Sequence, residues 1–354
     1  MKRTKPTQAK LSTQLERRHR NGIPIPEQKE YEGHGGVVST GSTLLDLAIS
    51  GGRFQAGGIP AGILVEVFGP SGAGKTVLLC QLAGNVQRAG GEVMFHDPEA
   101  RLNKQFAKMF GLDPSTIGYT IPDTIPEVFR SVREWLPEKA EATAPLYGVF
   151  ADSLAALSTA LELGKDEGDK MGMRRAKEFS EELRKTCRII TQRDALVVCS
   201  NQVRQNLDAG PYGQRYKSPG GEAIGFYSSL RLRCMSPRKL QVKRTFRGQE
   251  HSRVVGVRVE VEVFKSSIWK PFHVAEVFIL YDYGIDDIRA NLSFLKTNTG
   301  AAAYKIGGNE LGRSLDRAIQ VVEAEGLEDT LRGQVIELWR EIESKFAEER
   351  KPRR

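Results

Sequence analysis

An α/β fold with a mostly parallel sheet is what this sequence predicts, on three observations. Between residues 37 and 232, short apolar runs of strand type alternate with amphipathic helical stripes, the pattern of strands joined by crossover helices. One apolar run, residues 63–68, leads directly into a glycine-rich turn followed by a helical stripe. Several runs end in polar residues, among them Asp97, Asp152 and Gln202, and in parallel sheets such C-terminal strand ends gather at the ligand edge.

The elements follow in chain order. Residues 1–36 are basic and polar, with Pro24 and Pro26 against a continuous helix, and read as an N-terminal arm. The strand at 63–68 is apolar but for Glu66, as a doubly covered strand largely is. Residues 76–89 read as a helix stopped by Gly90 and Gly91. A strand at 92–95 comes next. Ile125, Val128, Phe129, Val132, Trp135 and Leu136 then share one helical face. Residues 146–151 read as a buried strand. Met173, Ala176, Phe179, Leu183, Cys187 and Ile190 mark a further amphipathic helix, and 195–199 a further strand. Residues 204–221 carry no period and are rich in Gly, Pro and Tyr, and a loop of this length in a compact domain is expected to be functional or disordered. Val255, Val257, Val259, Val261 and Val263 alternate with polar residues as one strand, with 272–281 as its hairpin partner. Two helical stripes close the chain: Leu311, Leu315, Ala318 and Val322, then Leu331, Val335, Leu338, Ile342 and Phe346. The expected organisation is an arm at 1–36, a core at 37–290 and a small C-terminal domain at 291–354.

Composition sets limits. The chain has 354 residues, 40% hydrophobic and 27% charged, ordinary for a globular protein. No apolar run approaches a membrane span, and residues 1–21 hold no apolar secretory core. Four scattered cysteines without a C-x-x-C pair fit a reduced, cytoplasmic setting better than a zinc site or disulfide framework. The formal charge of +8 is compatible with a polyanionic partner.

Residues 69–76 read Gly69, Pro70, Ser71, Gly72, Ala73, Gly74, Lys75 and Thr76, the G-x-x-x-x-G-K-[ST] phosphate loop in its required strand-loop-helix context. Glycines let backbone N–H groups face the phosphates, Lys75 reaches the β- and γ-phosphates, and the Thr76 hydroxyl is a magnesium ligand. ATP and Mg²⁺ are the expected cofactors. Asp152, ending an apolar strand, is the expected second magnesium group. Asp97 and Glu99 both end the strand after the phosphate-loop helix, and spacing alone leaves either as the base that activates water. Gln202 carries an amide able to donate and accept, a candidate γ-phosphate sensor. In the loop that follows, Arg204, Arg215 and Lys217 are interleaved with Tyr212 and Tyr216, the charge-and-ring mixture of a single-strand binding surface.

Taken together these stretches resemble the RecA-type homologous recombinases, from about residue 38 to residue 280. Ser39-Thr40-Gly41-Ser42 with Leu45-Asp46, Gly58-Ile59-Pro60-Ala61-Gly62, Asp97-Pro98-Glu99, Asp152-Ser153-Leu154-Ala155-Ala156-Leu157 and Asn201-Gln202-Val203-Arg204 carry the likeness. So do Gly220-Gly221-Glu222-Ala223 and Phe226-Tyr227. The resemblance implies a RecA-like P-loop ATPase core and a DNA-dependent ATPase that forms a helical filament on single-stranded DNA, pairs it with homologous double-stranded DNA and exchanges strands in recombination and repair. It implies Glu99 as the catalytic base with Lys75 and Gln202, Phe106 beside adenine, and Lys265 reaching ATP across a subunit interface. It also implies Met171 and Tyr212 as wedges in two DNA loops. No membrane role is expected. The sequence departs from the family where further lysines would stand, at Gly225 and Ser267, and in a long basic segment at 239–253. A DNA-stimulated ATPase or DNA-binding paralogue without full strand exchange is the competing expectation.

Overall fold

The computed structural model describes residues 36–54, 57–138, 145–159, 171–205, 216–217 and 223–346, with backbone alone at 171–173, 204–205 and 216–217. The expected N-terminal arm and the basic end of the chain lie outside the described residues. The strands in chain order are β1 (Val37–Val38), β2 (Ile59–Pro60), β3 (Ile63–Gly69), β4 (Glu92–His96), β5 (Gly118–Thr120), β6 (Tyr147–Ala151), β7 (Leu196–Gln202), β8 (Arg204–Gln205) and β9 (Tyr216–Lys217). They continue as β10 (Leu230–Cys234), β11 (Arg238–Phe246), β12 (Gln249–Ser266), β13 (Val274–Leu280), β14 (Gly284–Ile285), β15 (Tyr304–Ile306) and β16 (Asn309–Gly312). The α-helices are α1 (Thr43–Ser50), α2 (Lys75–Arg88), α3 (Lys104–Met109), α4 (Ile125–Trp135), α5 (Met171–Gln192), α6 (Ala223–Tyr227), α7 (Asp287–Thr299), α8 (Leu315–Glu325) and α9 (Glu328–Lys345).

Ten strands form the main sheet, with β10, β3, β7, β6, β4 and β5 adjacent in that order and parallel throughout. On the other side of β10, β12, β13 and β14 add antiparallel, and β11 pairs with β12. The fold class is therefore α/β and mostly parallel. Both faces of the parallel part are covered. Val65 and Val67 of β3 join one buried cluster with Leu78, Leu79 and Leu82 of α2, while Leu64 joins another with Val128 and Phe129 of α4 and Phe179 and Leu183 of α5. Burial on both faces is the reason β3 reads as an apolar run broken only by Glu66. A third cluster unites α7, α8 and α9, and it includes Leu47 of α1.

Local signals explain the helix starts that matter. Thr124 and Glu127 close a reciprocal capping box at the head of α4, with proline in its first turn. Ser42 accepts from Leu45 N to start α1. At α2, by contrast, the preceding residue is Gly74 and no side chain caps the helix. Its first N–H groups stay open for an anion.

Three readings of the sequence need correction. Leu311 lies in β16, and the helix of that stripe begins only at Leu315. The strand expected around Val255–Val263 belongs to an 18-residue strand whose partner on one side is β11, so the long basic segment is a β-hairpin. β10 had no counterpart in the sequence reading, although Leu230, Leu232 and Cys234 alternate with Arg231 and Arg233 in the period of a half-buried strand.

Candidate nucleotide site

The phosphate loop hangs between the C-terminal end of β3 and the first turn of α2. Two of its glycines are sterically required. A Cβ at Gly69 would lie 2.3 Å from the Cys234 carbonyl oxygen, and one at Gly74 would lie 2.3 Å from Ile279 Cδ1, where φ is also +77°. Lys75, buried, folds back over the loop and donates to the carbonyls of Gly69 at 3.0 Å and Pro70 at 2.7 Å. Burial lowers its pKa, against the opposing charges of Asp152 and Glu99. A buried ammonium next to an open helix N-terminus is a site short of negative charge, which phosphate supplies.

Asp152 follows β6 directly. One carboxylate oxygen accepts from the Thr76 hydroxyl at 2.5 Å, and the other accepts from the Ser200 hydroxyl of β7. Its backbone N–H donates to the His96 carbonyl at 2.9 Å. Strands β4, β6 and β7 and the first turn of α2 thus meet at one residue, with Thr76 and Ser200 on its carboxylate and β4 on its backbone. A hydroxyl and a carboxylate are hard oxygen donors, the set that suits a magnesium ion already holding phosphate and water ligands. No group of three or more His, Cys, Asp or Glu among the described residues could hold a metal unaided.

Asp97 and Glu99 separate clearly. The Asp97 carboxylate is buried and accepts from Leu102 N at 2.7 Å and the Tyr119 hydroxyl at 2.8 Å. Both bonds hold the turn after β4. Glu99 is partly exposed and pairs with the solvent-exposed Arg101 at 2.7 Å. His96 is fully buried; its Nδ1 lies 2.6 Å from the Thr120 hydroxyl, and its Nε2 meets no partner among the described residues. Burial lowers its pKa to about 4.

Gln202 pairs with Gly69 across β7 and β3, which sets it beside the first residue of the phosphate loop. Its backbone N–H donates to the Asn201 side-chain oxygen at 3.0 Å. Phe106 lies on α3, ring to ring with Phe110 at 4.5 Å. Lys265, on β12, is not among the groups gathered at the phosphate loop. It sits opposite Arg231 of β10 and donates to the carbonyls of Gly225 and Phe226, both at 2.9 Å. Phe226 is 76% exposed. Of the expected DNA contacts, Tyr212 and Arg215 lie outside the described residues, and for Met171, Arg204 and Lys217 only the backbone is described: Met171 starts α5, and Arg204 and Lys217 pair across β8 and β9.

The sequence reading assigned no role to Ser200, Glu66 or Arg231. Ser200 opens a polar strand end that was visible, but its contact with Asp152 needs the β6–β7 pairing. Glu66 is a lone acid inside an apolar strand, a signal in itself, since a charge there requires a partner. That partner is Arg231, 165 residues later, at 2.6 Å.

The comparisons with known proteins agree with this geometry. The family model described as the RecA N-terminal domain matches residues 10–286. The chain is similar to Protein RecA of Streptomyces venezuelae, 31% identical over 288 residues, covering 80% of this chain and 71% of that one. It is 32% identical over 288 residues to Protein RecA of Symbiobacterium thermophilum, covering 80% and 77%. With Protein RecA of Acholeplasma laidlawii it shares 29% over 294 residues, covering 81% and 82%. No helix among the described residues is long and apolar enough to cross a membrane.

Proposed function

This chain belongs to the RecA family, and from that premise we propose how its site works. It is a DNA-dependent ATPase of homologous recombination and repair. ATP binds with its phosphates against the open N-terminus of α2. Lys75 leaves the Gly69 and Pro70 carbonyls for the β- and γ-phosphate oxygens, whose charge it balances as the transition state develops. Thr76 and Asp152 would hold Mg²⁺, which would supply positive charge to offset that of the phosphates. Glu99 orients the attacking water and takes its proton, being free of the structural bonds that occupy Asp97. Gln202, next to Gly69, responds to the γ-phosphate at the start of the loop expected to hold single-stranded DNA.

The observation that carries this reading is the meeting of Thr76, Asp152 and Ser200 beneath an uncapped helix that begins at Lys75. Phe106 is assigned to the adenine, and Lys265 beside the exposed Phe226 to a neighbouring protomer's ATP in a helical filament. Met171, Arg204, Tyr212, Arg215 and Lys217 are assigned to DNA, and 1–36, 37–290 and 291–354 to arm, core and C-terminal domain. The deciding experiment is ATP turnover with and without single-stranded DNA, alongside electron microscopy with a non-hydrolysable ATP analogue. Stimulated turnover and filaments are expected, and neither should survive Lys75→Ala. Wild-type turnover in that variant overturns the site assignment.

One observation favours a second reading, a DNA-binding paralogue with weak turnover. At Gly225 a Cβ would lie 2.8 Å from Arg231 Nη1, so a lysine cannot be added there while Arg231 keeps its place. DNA binding without stimulated turnover would support that reading.

A further inference from the structure

Glu66 is a completely buried acid on β3, three residues before the phosphate loop. Nothing in the nucleotide chemistry described above uses it. Its two oxygens reach in opposite directions across the sheet. One accepts from the Asn201 side-chain amide of β7 at 3.1 Å, and the other from Arg231 Nε of β10 at 2.6 Å. Asn201 in turn accepts from the backbone N–H of Gln202 at 3.0 Å. On the far side, the Arg231 guanidinium lies 4.6 Å from the Phe68 ring centroid and 5.2 Å from that of Phe264, and it covers Gly225. Lys265, opposite Arg231 in register, donates to the carbonyls of Gly225 and Phe226.

The line Gln202–Asn201–Glu66–Arg231–Lys265 therefore crosses four adjacent strands. At one end is the strand end beside this protomer's own phosphate loop. At the other is an exposed segment carrying Phe226 and a cation. We infer that Glu66 is a positioning residue that couples the nucleotide site of one protomer to the surface it presents to its neighbour. The inference rests on the proposed function, in which Gln202 and Lys265 face two different ATP molecules.

The physical case is the cost of the arrangement. A buried carboxylate is tolerated only if its oxygens are satisfied, and such a pair contributes less to stability than a well-packed apolar substitute would. What it supplies is geometry. Glu66 has one partner on each flank and no slack, so displacement of Asn201 by movement at Gln202 must be answered at Arg231. Arg231 is held between two rings and cannot adapt by swinging away. Its charge also lowers the pKa of Lys265, after burial, while Glu66 opposes that shift. The three charges thus sense one another directly.

Glu66→Gln keeps size and shape, removes the charge and turns one acceptor into a donor facing a donor. The test compares this variant with wild type for fluorescent-nucleotide affinity without DNA, and for single-stranded-DNA-stimulated turnover against ATP concentration. Nucleotide affinity should stay within about threefold, whereas stimulated turnover should fall by about tenfold and its cooperativity in ATP should drop toward unity. Double variants with Arg231→Gln should be no worse than the weaker single variant, since both break one connection. Independent structural damage would multiply the losses instead. A thermal melt checks folding, and if Glu66→Gln does not fold, Asn201→Ser, which releases only the Gln202 side, takes its place with the same expected loss of cooperativity. Wild-type stimulation and cooperativity in a folded variant overturn the inference alone. Absence of DNA stimulation in the wild-type chain overturns the proposed function and this inference with it.

Discussion

Asp97 and Glu99 leave the same strand end two residues apart and meet opposite surroundings. Asp97 is spent on Leu102 N and the Tyr119 hydroxyl, whereas Glu99 pairs with an exposed arginine. Glu99→Gln is expected to retain ATP affinity and lose turnover by about 10²–10⁴-fold, the usual contribution of a general base. Side-by-side nucleotide binding and hydrolysis measurements decide it, and parallel loss of both would assign Glu99 a structural role. Asp97→Ala should behave in the reverse way, costing about 1–3 kcal/mol of stability through two lost bonds to a charged acceptor, read in a urea titration. At this scale the sequence was informative about residue types and silent about partners. Lys75, Thr76, Asp152 and Glu99 declare themselves by motif and strand end. The commitment of Asp97 depends on Tyr119, which reaches it only because β4 and β5 pair side by side.

Strands β10 and β11 show why some elements escape a reading of the sequence. β10 alternates Leu230, Leu232 and Cys234, all buried, with Arg231 and Arg233. The arginines look like a solvent face, yet they are held by Glu66 and Glu262. That alternation is itself a strand signal, and what it leaves unseen is that ion pairs close the arginine face. β11 fails for the opposite reason. Its residues are largely exposed and it contributes nothing to the apolar clusters, so no periodicity exists to detect. β3, α2 and α4, whose burial is apolar, were legible almost to the residue. The exposed hairpin yields an element-scale expectation. Replacing residues 241–253 by a two-residue turn removes few buried groups, so the unfolding free energy should change by less than about 0.5 kcal/mol, as for other exposed changes. It also removes Lys243, Arg244, Arg247 and Arg253. If the loop after Gln202 is the single-strand site, the salt slope of single-stranded DNA binding should be preserved. A slope reduced by about one per lost phosphate contact would move that site to the hairpin.

At the scale of the whole molecule, buried ionisable groups tie distant parts of the chain together and give it an uneven pH response. Asp287, at the start of α7, accepts from Thr43 N at 2.7 Å and from the Thr43 hydroxyl at 2.6 Å, joining residues 244 positions apart. Burial raises its pKa. Nearby, Asp46 is buried under bonds from the Ser39 hydroxyl and from the N–H and hydroxyl of Thr40, and burial, with Asp287 a lesser cause, raises its pKa from 3.8 to about 6. His96, at the ligand edge of the sheet, is lowered to about 4 from 6.5. The two act in opposite directions. A carboxyl with a raised folded pKa contributes stability below its unfolded pKa and loses it as pH climbs through about 6, while a histidine with a lowered folded pKa loses stability as pH falls below its unfolded value. At 1.36 kcal/mol per pKa unit, Asp46→Asn should gain on the wild type by about 2–3 kcal/mol between about pH 4 and pH 7. Over about pH 7 to pH 5, His96→Gln should gain on it by about 2 kcal/mol, because in the wild type the unfolded chain takes up a proton at this histidine that the buried ring, with its pKa near 4, does not. Constant offsets from lost contacts do not disturb these trends, since each is read as a difference that changes with pH. Urea unfolding of the three proteins across that range is the measurement. A pH-independent gap between wild type and Asp46→Asn would mean that the three bonds from Ser39 and Thr40 outweigh burial and keep Asp46 ionised throughout.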